Sequence, residues 1–449
     1  NGEMLSVYEL QLVYGFSIDD ILMILPFVTT SEIQVDKSFK IKYALKYGNN
    51  QIFLRGQEIL EEQAGYSSIS DSALLANPNS RYLGSSYKAY TKYKYNYKDK
   101  IYWGITAEKD PGEEFFSGNN KNGFDYYSAH LQINDIGIVK TITLGDFQAK
   151  FGQGLLLWSD MALGKTPYVL NIRRKAQGLR KYSSTNENVF MRGAGTTVSF
   201  NNIEASVFYS KKQIDANIQD STNNEITSVS SFQSSGYHTI PSEIVDKDAI
   251  GEQIIGGNIS YNHSKFKIGI TGVTYKYDAK LLKDTTPENQ FDFQGNGNSN
   301  LSIDYQFGFW DFSFFGEEAI SENGGKAFLN GMLVKLAPQI SLSAMHRHYE
   351  KNFQSNYGNA FAESSRNSNE SGLYFGIEIH PIKYWKITAY FDSYEFNWLT
   401  RGVDAPSSGY DWFFQTDYAL SGNLNMYLRI KNEEKIASKK VYSGVDALI

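Results

Sequence analysis

Lys88-Ala89-Tyr90-Thr91-Lys92-Tyr93-Lys94-Tyr95-Asn96-Tyr97 alternates without a break: Ala89, Thr91, Tyr93, Tyr95 and Tyr97 take one parity, Lys88, Tyr90, Lys92, Lys94 and Asn96 the other. Successive side chains of a β-strand point to opposite faces, so this run is a strand with an aromatic stripe on one side and a lysine stripe on the other. The same period returns along the chain. Leu301, Ile303, Tyr305 and Phe307 alternate with Ser302, Asp304 and Gln306; Leu373, Phe375, Ile377 and Ile379 with Tyr374, Gly376, Glu378 and His380; Leu424, Met426, Leu428 and Ile430 with Asn425, Tyr427, Arg429 and Lys431. A soluble β-sandwich alternates in the same way, so the period alone does not separate it from a membrane barrel.

The connections do. Short links at Lys98 to Lys100, Asn134 to Gly137, Asn201 to Asn202, His263 to Lys265, Gly308 to Trp310, Ala337 to Gln339 and Ser421 to Gly422 take turns with long polar ones. The long ones run at roughly 63–86, 110–123, 151–188, 211–252, 278–298, 350–371 and 397–410, and short turns at one rim with long loops at the other are the habit of membrane barrels. Runs counted from Gln51 to Lys431, with Lys440 to Ile449 as the closing candidate, give an all-β chain. Its expected fold is a transmembrane antiparallel β-barrel of about 18 strands behind a short N-terminal helical hairpin.

Composition agrees with this. The 449 residues include 32 Tyr, 29 Phe and 38 Gly but 9 Pro, and no apolar run is long enough for a spanning helix. Cys is absent, which removes disulfides, thiolate metal sites and cysteine nucleophiles. A net charge of −6 does not suit a chain built to coat nucleic acid. The chain opens at Asn1 without a charged-then-apolar leader, which for an envelope protein is the expectation of a removed signal peptide.

Ahead of the barrel, residues 5–28 read as two short helices around a bend. The first spans Leu5 to Tyr14, Gly15-Phe16 makes the bend, and Ser17 caps a second helix that ends at Leu25 before Pro26. Residues 37–48 alternate like a strand, but a strand there would put the N-terminus on the outside. They are therefore expected to be a connector, either a short helix or an extra strand. The expected division is 1–36 helical and periplasmic, 37–50 connector, and 51–449 barrel.

Leu5, Tyr8, Glu9, Leu10, Gly15, Phe16, Ile21, Ile24, Leu25 and Pro26 resemble the helix-hairpin-helix segment that precedes a class of Bacteroidota outer-membrane barrels. Gly65-Tyr66-Ser67, Arg81-Tyr82-Leu83-Gly84, Ile105 to Asp110, Gly145-Asp146-Phe147, Phe151 to Leu155, Arg192-Gly193-Ala194 and Gly256-Gly257-Asn258 resemble the same family. The resemblance implies an outer-membrane location. It also raises DNA binding, because soluble helix-hairpin-helix modules offer backbone amides and cations to phosphate. This chain has Ser17 in place of the second hairpin glycine, and residues 1–36 hold Glu3, Glu9, Asp19, Asp20, Glu32 and Asp36 with no Lys or Arg. DNA is therefore not the expected partner of this segment. Its apolar set, Leu10, Val13, Phe16, Ile21, Ile24 and Leu25, points to docking on the periplasmic mouth or on another envelope protein.

The longest link that carries a charge signature is 152–188. Lys165, Arg173, Arg174, Lys175, Arg180 and Lys181 fall in it, with no acidic residue from Lys165 to Lys181. Two readings stay open. The loop folds into the lumen and its cations select anionic solutes, or it stays outside and its cations meet acidic sugars of the outer leaflet or carboxylates of the wall. His346 and His348 share a strand face with Glu350, a two-histidine spacing that reads as solvated rim residues rather than a metal site. No spacing selects a catalytic set or a cofactor, so an enzyme is not expected. The expected function is a channel, or a subunit of an envelope complex for protein secretion or barrel assembly, in contact with outer-membrane lipid and lipopolysaccharide. A DNA-uptake pore and a barrel-embedded hydrolase are the alternatives.

Overall fold

The computed structural model describes residues 10, 18–28, 41–159, 162, 164–223, 225–421, 424–440 and 446–448. The alternating runs become strands β1 Asn49–Gln57, β2 Lys88–Tyr97, β3 Ile101–Lys109, β4 Tyr126–Ile136, β5 Val139–Lys150, β6 Gly178–Lys181 and β7 Met191–Phe200. They continue with β8 Ile203–Ile214, β9 Ala216–Thr222, β10 Glu225–Phe232, β11 Ile250–His263, β12 Phe266–Leu281, β13 Gly295–Phe309, β14 Phe312–Ser321 and β15 Lys326–Ala337. The last are β16 Ile340–Tyr349, β17 Glu370–Ile379, β18 Trp385–Phe396, β19 Ser407–Ser421, β20 Leu424–Lys435, β21 Ser438–Lys440 and β22 Asp446–Leu448. Helices are short: α1 Ile18–Ile24, α2 Ile41–Tyr47, α3 Asp71–Ala76 and α4 Pro241–Asp246.

Seventeen strands, β1–β5, β7, β8 and β11–β20, make one up-and-down antiparallel wall in which each pairs with the next. Links are tight at one rim, where Lys98 and Asp99 at φ 44° and 54°, and Asn201 and Trp310 at φ 52°, take the left-handed turn conformation. Long segments leave the other rim. β6 extends the pairing of the upper end of β5, and the β9–β10 hairpin touches β12 through Ser228 and Val229.

The closing strand differs from expectation. The described part of Lys440 to Ile449, Asp446–Leu448, pairs with Ser438–Lys440 in a hairpin of its own, while residues 441–445 lie outside the described residues. β1 and β20 do not pair with each other among the described residues, and both are exposed along their length. An odd number of antiparallel strands leaves first and last running the same way, so they lack the antiparallel register that joins every other pair.

One face of the wall is apolar. Ile105, Leu144, Ile255, Ile259, Ile270, Leu301, Ile303, Leu373 and Phe375 are exposed on it. Near the tight turns stand Phe200, Tyr261, Phe309, Trp310, Tyr384, Trp385 and Tyr418, also exposed. A hydrophobic band flanked by aromatic residues is what contact with hydrocarbon and headgroups requires. Tyr93, Leu301, Ile377 and Leu428 fall on this side, whereas Lys92, Asp304, Glu378 and Arg429 turn inward; Arg429 Nε, for instance, donates to buried Gln415 at 2.7 Å.

At the tight-turn rim α2 lies against the outer side of β2, where the Tyr95 hydroxyl donates to the Ala44 carbonyl at 2.5 Å. In α1, Ile21 is buried while Leu22 and Met23 are exposed, as is Phe27 in the turn that follows. Of the expected first helix, Leu5 to Tyr14, the structure describes Leu10 alone, and the Gly15-Phe16 bend lies outside the described residues.

Candidate functional site: the infolded loop and the lumen

The segment between β5 and β6, residues 151–177, enters the barrel. Its sequence allows this because Leu155, Leu156, Leu157, Val169, Leu170 and Ile172 supply an apolar surface. All six are buried, against lumen-facing Phe315, Leu333, Phe361, Tyr374 and Phe413 among others. A chain that dips into a barrel must find partners for its backbone amides and carbonyls there. Buried Glu317 accepts the N–H groups of Gln153 (2.7 Å) and Leu155 (3.0 Å) through one oxygen. The Val169 carbonyl takes hydrogen bonds from Ser343 Oγ at 2.7 Å and the Tyr374 hydroxyl at 3.2 Å.

Gly152 makes the entry turn. Its φ is +57°, and a Cβ there would stand 2.6 Å from the Glu317 carboxyl carbon, so conformation and space both ask for glycine. A second loop, 350–369, meets the first from the opposite wall: the Asn359 N–H donates to the Gly154 carbonyl and the Trp158 N–H to the Tyr357 carbonyl, each at 2.8 Å. Phe361 and Ala360 join the same apolar layer.

Ion pairs also hold the loop to the wall. Lys165 Nζ lies 2.6 Å from Glu363, 3.1 Å from Asp392 and 3.1 Å from Asp411. Arg347, fully buried on β16, donates to Glu370 at 2.6 Å and to both oxygens of Asp392 at 2.7 and 3.0 Å. Each of these two buried cations meets more than one carboxylate, the kind of pairing under which buried ions are tolerated.

The six basic residues of the loop do not form one ring. Lys165 is ion-paired as described. Buried Arg173 and exposed Lys175 line a cavity of about 200 Å³ with Tyr168, Leu170, Glu378 and Lys386, towards the tight-turn rim. Arg174 donates its backbone N–H to Gln153 at 2.9 Å and sets its guanidinium 5.9 Å from the Trp158 ring. Arg180 and Lys181 belong to β6, where the loop returns to the wall; the Lys181 N–H donates to Gln132 at 2.8 Å. On the long-loop side of the apolar layer a vestibule of about 1140 Å³ opens. There Lys351 Nζ sits 4.5 Å from the Phe291 ring and 4.3 Å from the Trp398 ring, and Asp292 holds Lys283 at 2.7 Å and Arg366 at 2.8 Å.

Sequence reasoning missed a charged clamp on the long-loop rim. His238 has Asp125 at 2.6 Å on Nδ1 and Asp215 at 3.0 Å on Nε2, and Asp125 also takes Lys247 at 2.6 Å. Glu113 accepts the His238 backbone N–H at 3.3 Å. Burial opposes the imidazolium, but the two carboxylates outweigh it and push His238 up to about 10, while Asp125 is held down at about 2 by His238 and Lys247 against its own burial. Burial raises Glu113 to about 7 and Glu187 to about 8, helped by the charge of Asp125. Glu113, Asp125 and His238 offer ligand atoms within 4.8 Å of one another. Both ring nitrogens of His238 are already spent on carboxylates, so as it stands the group ties loops together and is not an open metal centre. No pattern in the chain announces it, because Glu113 and Asp125 lie more than a hundred residues before His238.

His346 is exposed on the outer face and His348 hydrogen-bonds Ser371 at 2.8 Å. Of the helical apolar set, Ile21 is buried and Leu10, Ile24 and Leu25 are half-buried, while Val13 and Phe16 lie outside the described residues.

No protein-family model matches the chain, and no curated protein matches it in sequence. Among solved structures it is similar to OpdQ of Pseudomonas aeruginosa, at 10% identity over 78% of this chain and 85% of that one, with a TM-score of 0.40. An anion-selective porin from Comamonas acidovorans gives 11% identity, 70% and 80% coverage and a TM-score of 0.35. Wzi of Escherichia coli, a carbohydrate-binding barrel involved in group 1 capsule assembly, gives 10%, 88% and 82%, and 0.37. At such scores none of these likenesses decides what this chain binds or passes.

Proposed function

We propose that this chain is an outer-membrane β-barrel that works as a channel closed at rest, with residues 151–177 as the plug. One observation carries the reading: two cavities, about 1140 Å³ and about 200 Å³, lie on opposite sides of a packed apolar layer that the loop itself supplies. A barrel used only as a scaffold has no need of a vestibule leading to a charged second chamber. A channel that opens by moving one loop has use for both. Liposome swelling with small neutral and anionic solutes tests this. Vesicles holding the full chain should swell slowly, and vesicles holding a chain with 155–172 replaced by a short Gly/Ser linker should swell quickly. Equal rates would contradict the reading.

One feature favours a second role alongside the first, that of a subunit docked to another envelope protein. Leu22, Met23 and Phe27 of the helical front end are 52%, 70% and 87% exposed, too apolar to be left in water beside the six carboxylates of residues 1–36. This segment belongs in the periplasm if the tight turns do. Purification in mild detergent should recover a fixed partner that a chain lacking 1–36 loses.

A further inference from the structure

Three lysines face the lumen from one patch of wall and loop, and none has a carboxylate within ion-pair distance among the described residues. Lys92 on β2 stands opposite Thr106 on β3, which stands opposite Ser128 on β4; in the next row Lys94, Gly104 and His130 are aligned. The returning limb of the infolded loop adds Lys181, whose Nζ lies 5.0 Å from the Tyr102 ring. It also covers the patch, since Lys92 donates to the Ser183 carbonyl.

The carboxylates nearby are engaged elsewhere. Glu108 and Asp110 hold Lys88, Asp135 holds Lys100, Asp146 holds Arg192, and Asp99 accepts from Tyr102. The ground between is built to receive something polar. Thr106 is 1% and His130 6% exposed, yet Thr106 Oγ1 and His130 Nδ1 have no hydrogen-bond partner among the described residues. Gly104 lets the His130 ring lie close against β3; a Cβ there would stand 3.0 Å from that ring and 2.6 Å from the Tyr93 carbonyl.

Enclosed ammonium groups without a counter-charge, beside orphaned polar atoms, are costly in a protein interior. An oxyanion removes both costs at once, because it brings negative charge and several acceptor oxygens. We propose that Lys92, Lys94, Lys181, Thr106 and His130 form a binding seat for a small oxyanion, the phosphate, sulfate or carboxylate group of a solute in the lumen. Lipid headgroups are not its source, because the patch faces inward. Lys181 stands on β6, paired with β5 where the loop rejoins the wall, so the bound anion sits at the foot of the plug; calling the loop a plug rests on the closed-channel reading, whereas binding itself does not.

The experiment uses the full chain in detergent with chloride as the only other anion. Titration with inorganic phosphate should be saturable and raise the unfolding temperature, and crystals soaked in selenate should show anomalous density among Lys92, Lys94, Lys181 and His130. Lys181→Met and Lys94→Gln should each weaken phosphate binding about tenfold, roughly the worth of one charge-assisted hydrogen bond. Lys351→Met, in the vestibule, should leave it unchanged. The proposal fails if wild-type protein gives no saturable phosphate response, if selenate occupies other places and not this one, or if both seat variants bind like wild type. Binding with no change in swelling rates on loop replacement would retain the seat and remove the channel reading; the converse would do the opposite.

Discussion

Leu301 and Glu378 belong to the same wall and differ in which solvent they meet. Leu301 is 54% exposed on the apolar face, and Glu378 lines the smaller cavity. Leu301→Arg should destabilise the barrel by about 2–4 kcal/mol in reversible unfolding from lipid vesicles, and Glu378→Arg by clearly less; equal costs would mean that the faces are misassigned. The rim clamp gives a second residue-level expectation. His238, raised to about 10, contributes stability that is complete below its unfolded value near 6.5 and is lost as pH rises through 10. Asp125, lowered to about 2, contributes above its unfolded value near 4 and loses this only as pH falls through 2. Glu113 and Glu187, raised to about 7 and 8, bind protons in the folded state that the unfolded chain has released, so they weaken the clamp progressively as pH climbs from near 4.5 to 8. All four effects together place the tightest clamp near pH 4–5. Amide exchange around Tyr237 to Ile240, corrected for intrinsic rate, should be slower at pH 5 than at pH 9, and the opposite order would contradict the assignment.

At the scale of elements, the strands were readable because a wall with hydrocarbon on one side and a filled lumen on the other imposes period two on every strand, as in β12 and β13. The plug was half readable. Its length and basic residues marked 151–188 as special, but whether Leu155 to Leu157 face lipid, water or a lumen depends on Glu317, Ser343 and Tyr374, contributed by strands 150–220 residues further along. Sequence also offered Lys440 to Ile449 as the closing strand on parity alone, and parity cannot tell a wall strand from a local hairpin. Gly152→Val is the element-scale test. It should loosen the entry turn by strain at φ +57° and by collision with Glu317. Limited proteolysis of the barrel in detergent should then cleave within 151–177, which wild type resists; an unchanged digest would mean that the turn does not hold the loop.

Taken whole, the molecule is a barrel packed across its middle rather than a tube. Phe147, Leu155, Val169, Ile254, Phe315, Tyr374 and Phe413 belong to one cluster that reaches from wall to wall, and Lys165 and Arg347 bind their carboxylates within the same interior. In the channel proposed above, burial of this kind favours the closed form, and opening is a loop movement that must break the ion pairs of Lys165, since those of Arg347 run between wall strands. Lys165→Met, which leaves Asp411 and Asp392 short of one cation, should therefore shift the balance towards opening. Single-channel recording in planar bilayers compares the three states directly. The full chain should give small and infrequent openings, Lys165→Met more frequent ones, and the chain with 155–172 replaced by a linker a large steady conductance; a large steady conductance from the unmodified chain would contradict the claim that its lumen is closed.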